Sequence, residues 1–328
     1  MIRQAFHEQM LATLLEPIAE LLHDASVSEI MLNGHARIYC ERCGRIEATK
    51  LSFPSAEALL AALRNVAQFV GRPFDAAHPL LEGRLPDGSR LQAVVPPAAP
   101  DGPMVSIRRF SRTPLTVADL VSRGALDADT AAEIAAAIRG KQNLLISGGT
   151  GTGKTSLLNA LSALIPDTER VVVMEDSHEL ELQRQHVVHL EAQPGDAEGR
   201  GQVSIRDLFR ATLRMRPDRI VVGEIRGAEA LELIAATTSG HGGCMSTLHA
   251  ASPRDALARL ETMAMMSDVR MPLTALRSRI ASGIDMVIQV ERCADGRRRV
   301  SEVAHVLGPD PSDGYMLRER RTREEHES

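Results

Sequence analysis

A glycine-rich segment near the middle of the chain has the residue types and spacing of a phosphate-binding loop. The pattern G-x-x-x-x-G-K-[ST] follows the apolar run NLLIS and precedes the helix-like run TSLLNALSAL. Glycines let backbone N–H groups curl around phosphates at the positive end of a helix. Lys154 then reaches the β- and γ-phosphates, and the Thr155 hydroxyl is a Mg²⁺ ligand. We predict that ATP and Mg²⁺ bind here, through Gly148, Gly149, Thr150, Gly151, Thr152, Gly153, Lys154, Thr155 and Ser156.

Two apolar, strand-like runs end in acidic residues. The run IVVGE ends at Glu224, and the run VVVMED ends at Glu175 and Asp176. Open α/β sheets bind ligands at the carboxyl ends of their strands. Glu224 is predicted to hold Mg²⁺, directly or through water. Glu175 is predicted to orient or deprotonate the attacking water; the alternative is a solvated strand end.

Arginines recur at every fourth position after residue 205. Arg206, Arg210 and Arg214 lie on one face of a predicted helix. Like charges at this spacing repel by roughly 0.2–0.5 kcal/mol per pair, so the row is easier to understand if an anion faces it. Arg210 is therefore a candidate catalytic residue. The alternative is a solvated basic face with Asp207 and Asp218 as partners.

Two histidines follow in a segment of small residues. The run SGHGG contains His241, and the run STLH ends at His249. Both are candidates for contacting the γ-phosphate or for relaying its loss. Taken singly, each histidine would more often be structural or exposed.

Patterning along the chain predicts two domains of the α/β class. Short strands with intervening helices in residues 1–110 indicate a small α+β domain. Residues 111–117 are polar and read as a linker. Residues 118–308 alternate short apolar strands with helices, which predicts a mainly parallel sheet. Residues 309–328 are charged and are predicted to be disordered.

Composition excludes several classes of protein. The 328 residues include 2% aromatics and no Trp, and the formal net charge is -5. This balance argues against bulk nucleic-acid binding as the main role. No run reaches the roughly 18 apolar residues of a membrane span, and the start lacks the apolar core of a signal peptide. We therefore expect a cytoplasmic protein that reaches a membrane only through partners.

Four cysteines are scattered along the chain and do not make a disulfide framework. Cys40 and Cys43 form a C-x-x-C, which is half of a zinc site or a redox pair on one interpretation. No second ligand pair follows at zinc spacing, so two small buried residues in a strand-turn are favoured.

The motifs occur together and in an order that resembles the type II/type IV secretion ATPase superfamily. There they are called Walker A, Asp box, Walker B and His box. The likeness extends over nearly all of residues 11–308 and is greatest to the CpaF-type ATPases of tight-adherence (Flp) pili, with TrbB-like conjugation ATPases next. It rests on segments that include SEIMLNGHARIYCERCGRIEAT, GRLPDGSRLQAVVPP, GGTGTGKTSLLNALS, MEDSHELEL, RMRPDRIVVGEIRGAEALELI and SGHGGCMSTLHAASPRDALARLETM.

The resemblance implies a RecA-like ATPase domain in a homohexameric ring, with ATP between the N-terminal and RecA-like domains. It implies phosphate and Mg²⁺ contacts for Lys154 and Thr155. It assigns Glu175 to the Asp box, Glu224 to Walker B, and His241 and His249 to the His box. The N-terminal arginines look like those that reach the nucleotide, namely Arg84, Arg90, Arg108 and Arg109. The implied partner is an inner-membrane platform protein of a pilus or secretion system.

Two other functions compete with a secretion or pilus motor. A nucleic-acid motor would share the loop and the sheet, but it needs a basic, often aromatic-lined channel. The acidic net charge and the few aromatics argue against it. A nucleotide-binding regulator that hydrolyses poorly is the third possibility, against which the acidic and arginine residues argue.

Overall fold

The computed structural model describes residues 13–42, 44–109, 115–182, 184–193, 195, 200–310 and 314–322. Contacts divide the chain into two compact units, Met1–Thr113 and Pro114–Ser328. Residues 1–12 and Cys43 lie outside the described part. No helix among the described residues is long and apolar enough to cross a membrane.

The first unit contains a six-stranded antiparallel sheet in the order β3-β2-β1-β6-β5-β4. A 3-10 turn, Glu16–Ile18, precedes its helices α1 (Ala19–His23) and α2 (Ala56–Val70). The strands are β1 (Val27–Asn33), β2 (Ile38–Arg42), β3 (Arg45–Ala48), β4 (Leu80–Arg84), β5 (Arg90–Val94) and β6 (Met104–Arg108).

Helix α2 covers the core of this unit. The Ser55 hydroxyl caps it by accepting from Ala58 N, and the helix ends at Gly71 in the left-handed conformation. Leu59, Leu63 and Val66 recur at helical spacing and are buried in one cluster with the sheet. Buried Cys40 belongs to the same cluster, as predicted for a small core residue.

The second unit is built on an eight-stranded sheet in the order β14-β13-β12-β7-β11-β10-β8-β9. Its strands are β7 (Leu144–Gly148), β8 (Val171–Glu175), β9 (Val187–Glu191), β10 (Arg219–Val222), β11 (Met245–His249), β12 (Met286–Arg292), β13 (Arg298–Asp310) and β14 (Gly314–Arg321). Neighbouring strands in the stretch β12-β7-β11-β10-β8-β9 are parallel. Strand β13 is antiparallel to both β12 and β14. The predicted mainly parallel α/β sheet is therefore confirmed.

Helices cover both faces of this sheet. They are α3 (Val117–Ser122), α4 (Ala128–Arg139), α5 (Lys154–Ser162), α6 (Ile205–Thr212), α7 (Glu229–Thr237), α8 (Pro253–Met265) and α9 (Leu273–Gly283). Two apolar clusters result, one with α4 and α5 and the other with α6 to α9. Central strands buried on both faces explain why the runs NLLIS and RVVVMED are continuously apolar.

The segment 118–140 contains two helices, α3 and α4, because Asp127 caps a new start at α4 by accepting from Thr130 N. One expectation about this unit is wrong. Within the tail predicted to be disordered, residues 309–310 end β13 and residues 314–321 form β14, while residues 311–313 and 323–328 lie outside the described part. Tyr315 stabilises that hairpin, since it is 3% exposed and its hydroxyl donates to Glu261 Oε1 at 2.6 Å.

Candidate nucleotide-binding site

Parallel strands bring the main candidate residues to one edge of the sheet. The ladder pairs His249 with Gly148, so β7 and β11 end side by side. Strand β10 ends just before Gly223 and Glu224, and β8 ends at Glu175. The Thr247 hydroxyl donates to Gly223 O at 2.7 Å and ties β11 to the turn after β10. This carboxyl edge is where open parallel sheets bind ligands.

Two glycines of the phosphate-binding loop, Gly148 and Gly153, stand where a side chain would be strained. A Cβ on Gly148 would lie 2.4 Å from Val290 O and 2.7 Å from Thr152 Oγ1. Gly153 has a φ of +93°, in the left-handed region that glycine tolerates best. Buried Thr152 braces the loop, because its hydroxyl donates to Gly149 O at 2.9 Å.

Helix α5 begins at this loop without a side-chain cap. Its N-cap is Gly153, so no side-chain oxygen satisfies the first backbone N–H groups of the helix. Uncapped N–H groups and the positive end of the helix dipole suit an anion such as a phosphate. Thr155 lies half-buried in the first turn, and Ser156 is exposed. The predicted phosphate contacts of the loop fit this geometry.

Lys154 is 7% exposed and folds back over the loop. Its Nζ donates to Gly148 O at 3.0 Å and to Gly149 O at 2.8 Å. The same Nζ lies 3.3 Å from His249 Nδ1. The ammonium therefore sits at the carboxyl edge, surrounded by acceptors that phosphate oxygens can replace.

Glu224 and His249 form a network with Lys154. His249 Nε2 lies 2.7 Å from Glu224 Oε1, and Arg226 pairs with Glu224 Oε2. Burial, followed by the Lys154 ammonium, lowers the pKa of His249 from 6.5, and Glu224 opposes that shift. The lowered pKa favours a neutral ring that donates from Nε2 to Glu224 and presents the Nδ1 lone pair to Lys154.

Glu175 is 5% exposed and is held by the loop that follows it. Its Oε1 accepts from Glu179 N and Leu180 N, both at 3.0 Å. The carboxylate packs against Gly223, where an added Cβ would lie 3.0 Å from Glu175 Cγ. The structure thus places Glu175 beside the turn that leads to Glu224.

His241 is not at this edge, so the hypothesis that both histidines contact the γ-phosphate or relay its loss stays a prediction for His241. His241 precedes β11, and its N–H donates to Ala236 O at 3.2 Å. Strand β11, with its 5 residues, separates it from the site; such a strand is roughly 13 Å long. The sequence did not indicate this separation, because His241 and His249 are close in the chain, although strand β11 between them places them at opposite edges of the sheet.

Arg210 pairs with an acidic residue that the sequence did not suggest. Arg210 Nη2 lies 3.3 Å from Glu232 Oε1, and Arg206 Nε donates to the same oxygen at 2.7 Å. Asp207 instead completes a capping box with Ser204. Asp218 instead accepts from Arg170 N. The proposed partners of the arginine row are corrected accordingly, and Arg210 remains 57% exposed.

Arg108 and Arg109 belong to the first unit. Arg109 Nη1 donates to the carbonyl of Val27 at 3.2 Å and also to that of Asp24. These bonds tie the end of β6 to the start of β1. Arg108 is exposed and lies beside Glu29 and Arg90 in the ladder. A role for either arginine in binding nucleotide stays a prediction.

Sequence reasoning missed Arg298. Its Nε donates to Gly151 O at 2.9 Å, and its Cδ lies 3.3 Å from where a Cβ of Gly153 would be. The run RRR after a hairpin turn gave no signal of this contact. The pairing of β13 with β12, which itself lies next to β7, brings Arg298 to the loop.

Fold and site together define a P-loop nucleotide-binding protein. The family model "Type II/IV secretion system protein" matches residues 12–323, and the chain belongs to this family. The resemblance in the sequence is therefore confirmed at the level of the superfamily. The particular likeness to tight-adherence ATPases stays a prediction.

Two curated relatives and one solved structure illustrate the family. The conjugal transfer protein TrbB of Rhizobium radiobacter is 34% identical, over 88% of this chain and 86% of its own. A type IV secretion system protein PtlH homolog of Bordetella bronchiseptica is 37% identical, over 88% of this chain and 93% of its own. The VirB11 ATPase of the Brucella suis type IV secretion system, solved with sulphate, is 28% identical. The match covers 93% of this chain and 97% of that one, with a TM-score of 0.50.

Proposed function

We propose that this chain hydrolyses ATP with Mg²⁺ and acts as a homohexameric motor of a pilus or secretion apparatus. The supporting observation is the Lys154–His249–Glu224 network at the carboxyl edge, beside the uncapped start of α5. It combines a cation, a neutral ring and a carboxylate where a phosphate chain would end.

Each residue then has a defined task. Backbone N–H groups of the loop hold the phosphates, and Lys154 exchanges its carbonyl partners for phosphate oxygens. Thr155 and Glu224 would hold Mg²⁺, which when bound neutralises phosphate charge. Glu175 orients or deprotonates the attacking water.

His249 reports on the terminal phosphate in this proposal. It already contacts both Lys154 and Glu224, the two side chains whose partners change when a γ-phosphate arrives or leaves. Arg210, which is more than half exposed, would act on the nucleotide of a neighbouring subunit.

The apparatus is of the type IV secretion or pilus kind. The sequence favours tight-adherence pili, whereas the TrbB and PtlH relatives favour conjugation or type IV secretion. In either case we propose a cytoplasmic ring that docks on an inner-membrane platform protein. Deleting the gene in its source organism separates these choices, because one predicts lost pilus fibres and the other lost DNA or protein transfer.

Steady-state ATP hydrolysis by the purified chain tests the enzymatic proposal. Lys154→Ala removes the ammonium at the phosphates and is expected to abolish turnover, while the circular dichroism spectrum stays that of the wild type. Exposed Lys50 lies in the other unit, and Lys50→Ala serves as the matched control with normal activity. Substantial turnover by Lys154→Ala contradicts the assignment. Stimulation of the rate by DNA would instead favour a nucleic-acid motor.

A further inference from the structure

Three potential metal ligands meet near the end of β8. Glu175 is the last residue of β8, His178 follows in the next loop, and His189 lies in the middle of β9. The parallel ladder pairs His189 with Val173. Because side chains alternate along a strand, Val173 and Glu175 share one face of the sheet, and His189 shares it with them.

The distances among these groups suit one metal ion. One ligand atom from each residue lies within 4.8 Å of the others. Glu175 Oε2 is 3.4 Å from His178 Nδ1, and the two imidazole rings meet edge to face with centroids 4.6 Å apart. Zinc bonds of about 2.0–2.1 Å in a tetrahedron put neighbouring ligand atoms about 3.4 Å apart. The 3.4 Å between Glu175 Oε2 and His178 Nδ1 already matches this spacing.

The surroundings prepare these side chains for coordination. The two backbone N–H groups on Oε1 fix the orientation of the Glu175 carboxylate, as outer-shell hydrogen bonds do in metal sites. The His178 side chain is 29% exposed, which leaves a path from solvent.

We propose that Glu175, His178 and His189 bind one Zn²⁺, with water completing its coordination. Nitrogen and carboxylate ligands with an open position are a set that zinc accepts. Bound zinc would occupy Glu175 Oε2 and withdraw this carboxylate from ATP hydrolysis. That consequence, unlike the metal site itself, rests on the function proposed above.

Binding is tested on the full-length chain, freed of any affinity tag, with Co²⁺ as a spectroscopic substitute for zinc and no nucleotide present. The wild type should develop visible d–d bands without thiolate charge-transfer bands, and Zn²⁺ should displace the Co²⁺. His189→Gln should weaken binding at least about tenfold, because even an outer-shell partner typically contributes that much. His186→Gln, an exposed histidine just before β9, is the matched control and should bind normally.

Cys43→Ser tests whether the C-x-x-C is the true site, and it should leave the Co²⁺ spectrum unchanged. Equal affinities of the wild type and His189→Gln, or no binding at micromolar Co²⁺, overturn the metal site. So do thiolate bands that disappear in Cys43→Ser.

Hydrolysis is then measured in excess Mg²⁺-ATP with added micromolar Zn²⁺. The wild type should be inhibited, and His189→Gln should keep its basal rate and need at least about tenfold more zinc for the same inhibition. Equal inhibition of both proteins contradicts the inhibitory effect of this site. Zinc binding that requires His189 but leaves hydrolysis unchanged keeps the metal site and overturns the role of Glu175 in hydrolysis.

Discussion

His249 Nε2 lies 2.7 Å from Glu224 Oε1, across the carboxyl ends of two adjacent parallel strands. The other ring nitrogen faces Lys154, so one imidazole joins the residue proposed to contact phosphate to the residue proposed to hold Mg²⁺. Under the proposed function, loss of the γ-phosphate would be sensed through this single side chain.

The protonation of His249 should depend on Lys154. Burial and the ammonium lower the pKa of His249 below 6.5, so the ring is neutral at pH 7 and hydrolysis should persist until the pH falls through the lowered pKa. Lys154→Ala removes one of the causes that lower the pKa of His249, so that pKa should rise. Titration of the imidazole signals by NMR, assigned with His249→Gln, measures the change. The same pKa in both proteins would refute the contact.

The two glutamates should separate nucleotide binding from hydrolysis. Glu175→Gln keeps an oxygen that can accept from Glu179 N and Leu180 N, so the loop should stay in place. Both Glu175→Gln and Glu224→Gln should bind a fluorescent ATP analogue and hydrolyse ATP about 10²–10⁴-fold more slowly. Turnover near that of the wild type in both variants would contradict their proposed roles.

Adjacent glycines of the loop should respond differently to an added methyl group. Gly148→Ala would place a Cβ 2.4 Å from a backbone oxygen, whereas Gly149→Ala meets only Thr152 Cγ2 at 3.7 Å. Backbone yields less easily than a flexible side chain, so Gly148→Ala should lower the free energy of unfolding by about 1–3 kcal/mol. Denaturant unfolding of both variants measures the difference. Equal stability would show that the loop relaxes around the methyl group.

The chain should assemble into a homohexamer when nucleotide is bound. The resemblance implies a ring, and the exposed guanidinium of Arg210 is available to a neighbouring subunit. Light scattering with a non-hydrolysable ATP analogue should give six times the mass of the chain. The Lys154→Ala variant, which lacks the phosphate contact, should assemble less readily. A monomer at micromolar concentration with nucleotide bound would contradict the ring.

Local sequence alone was enough to locate the loop, the parallel strands and the two acidic strand ends. These features follow from glycine spacing, from continuous apolar runs and from the residue after each run. All three signals lie within a few positions of one another in the chain.

The tertiary structure decided which of these residues meet. Strand register put His249 beside Lys154 and left His241 at the far edge; helix packing gave Arg210 the partner Glu232. Pairing across the sheet brought Arg298 to the loop and ordered β14, where the charged sequence had suggested disorder. These contacts join residues far apart in the chain, and their distances depend on the packing of the whole sheet, which no local pattern encodes.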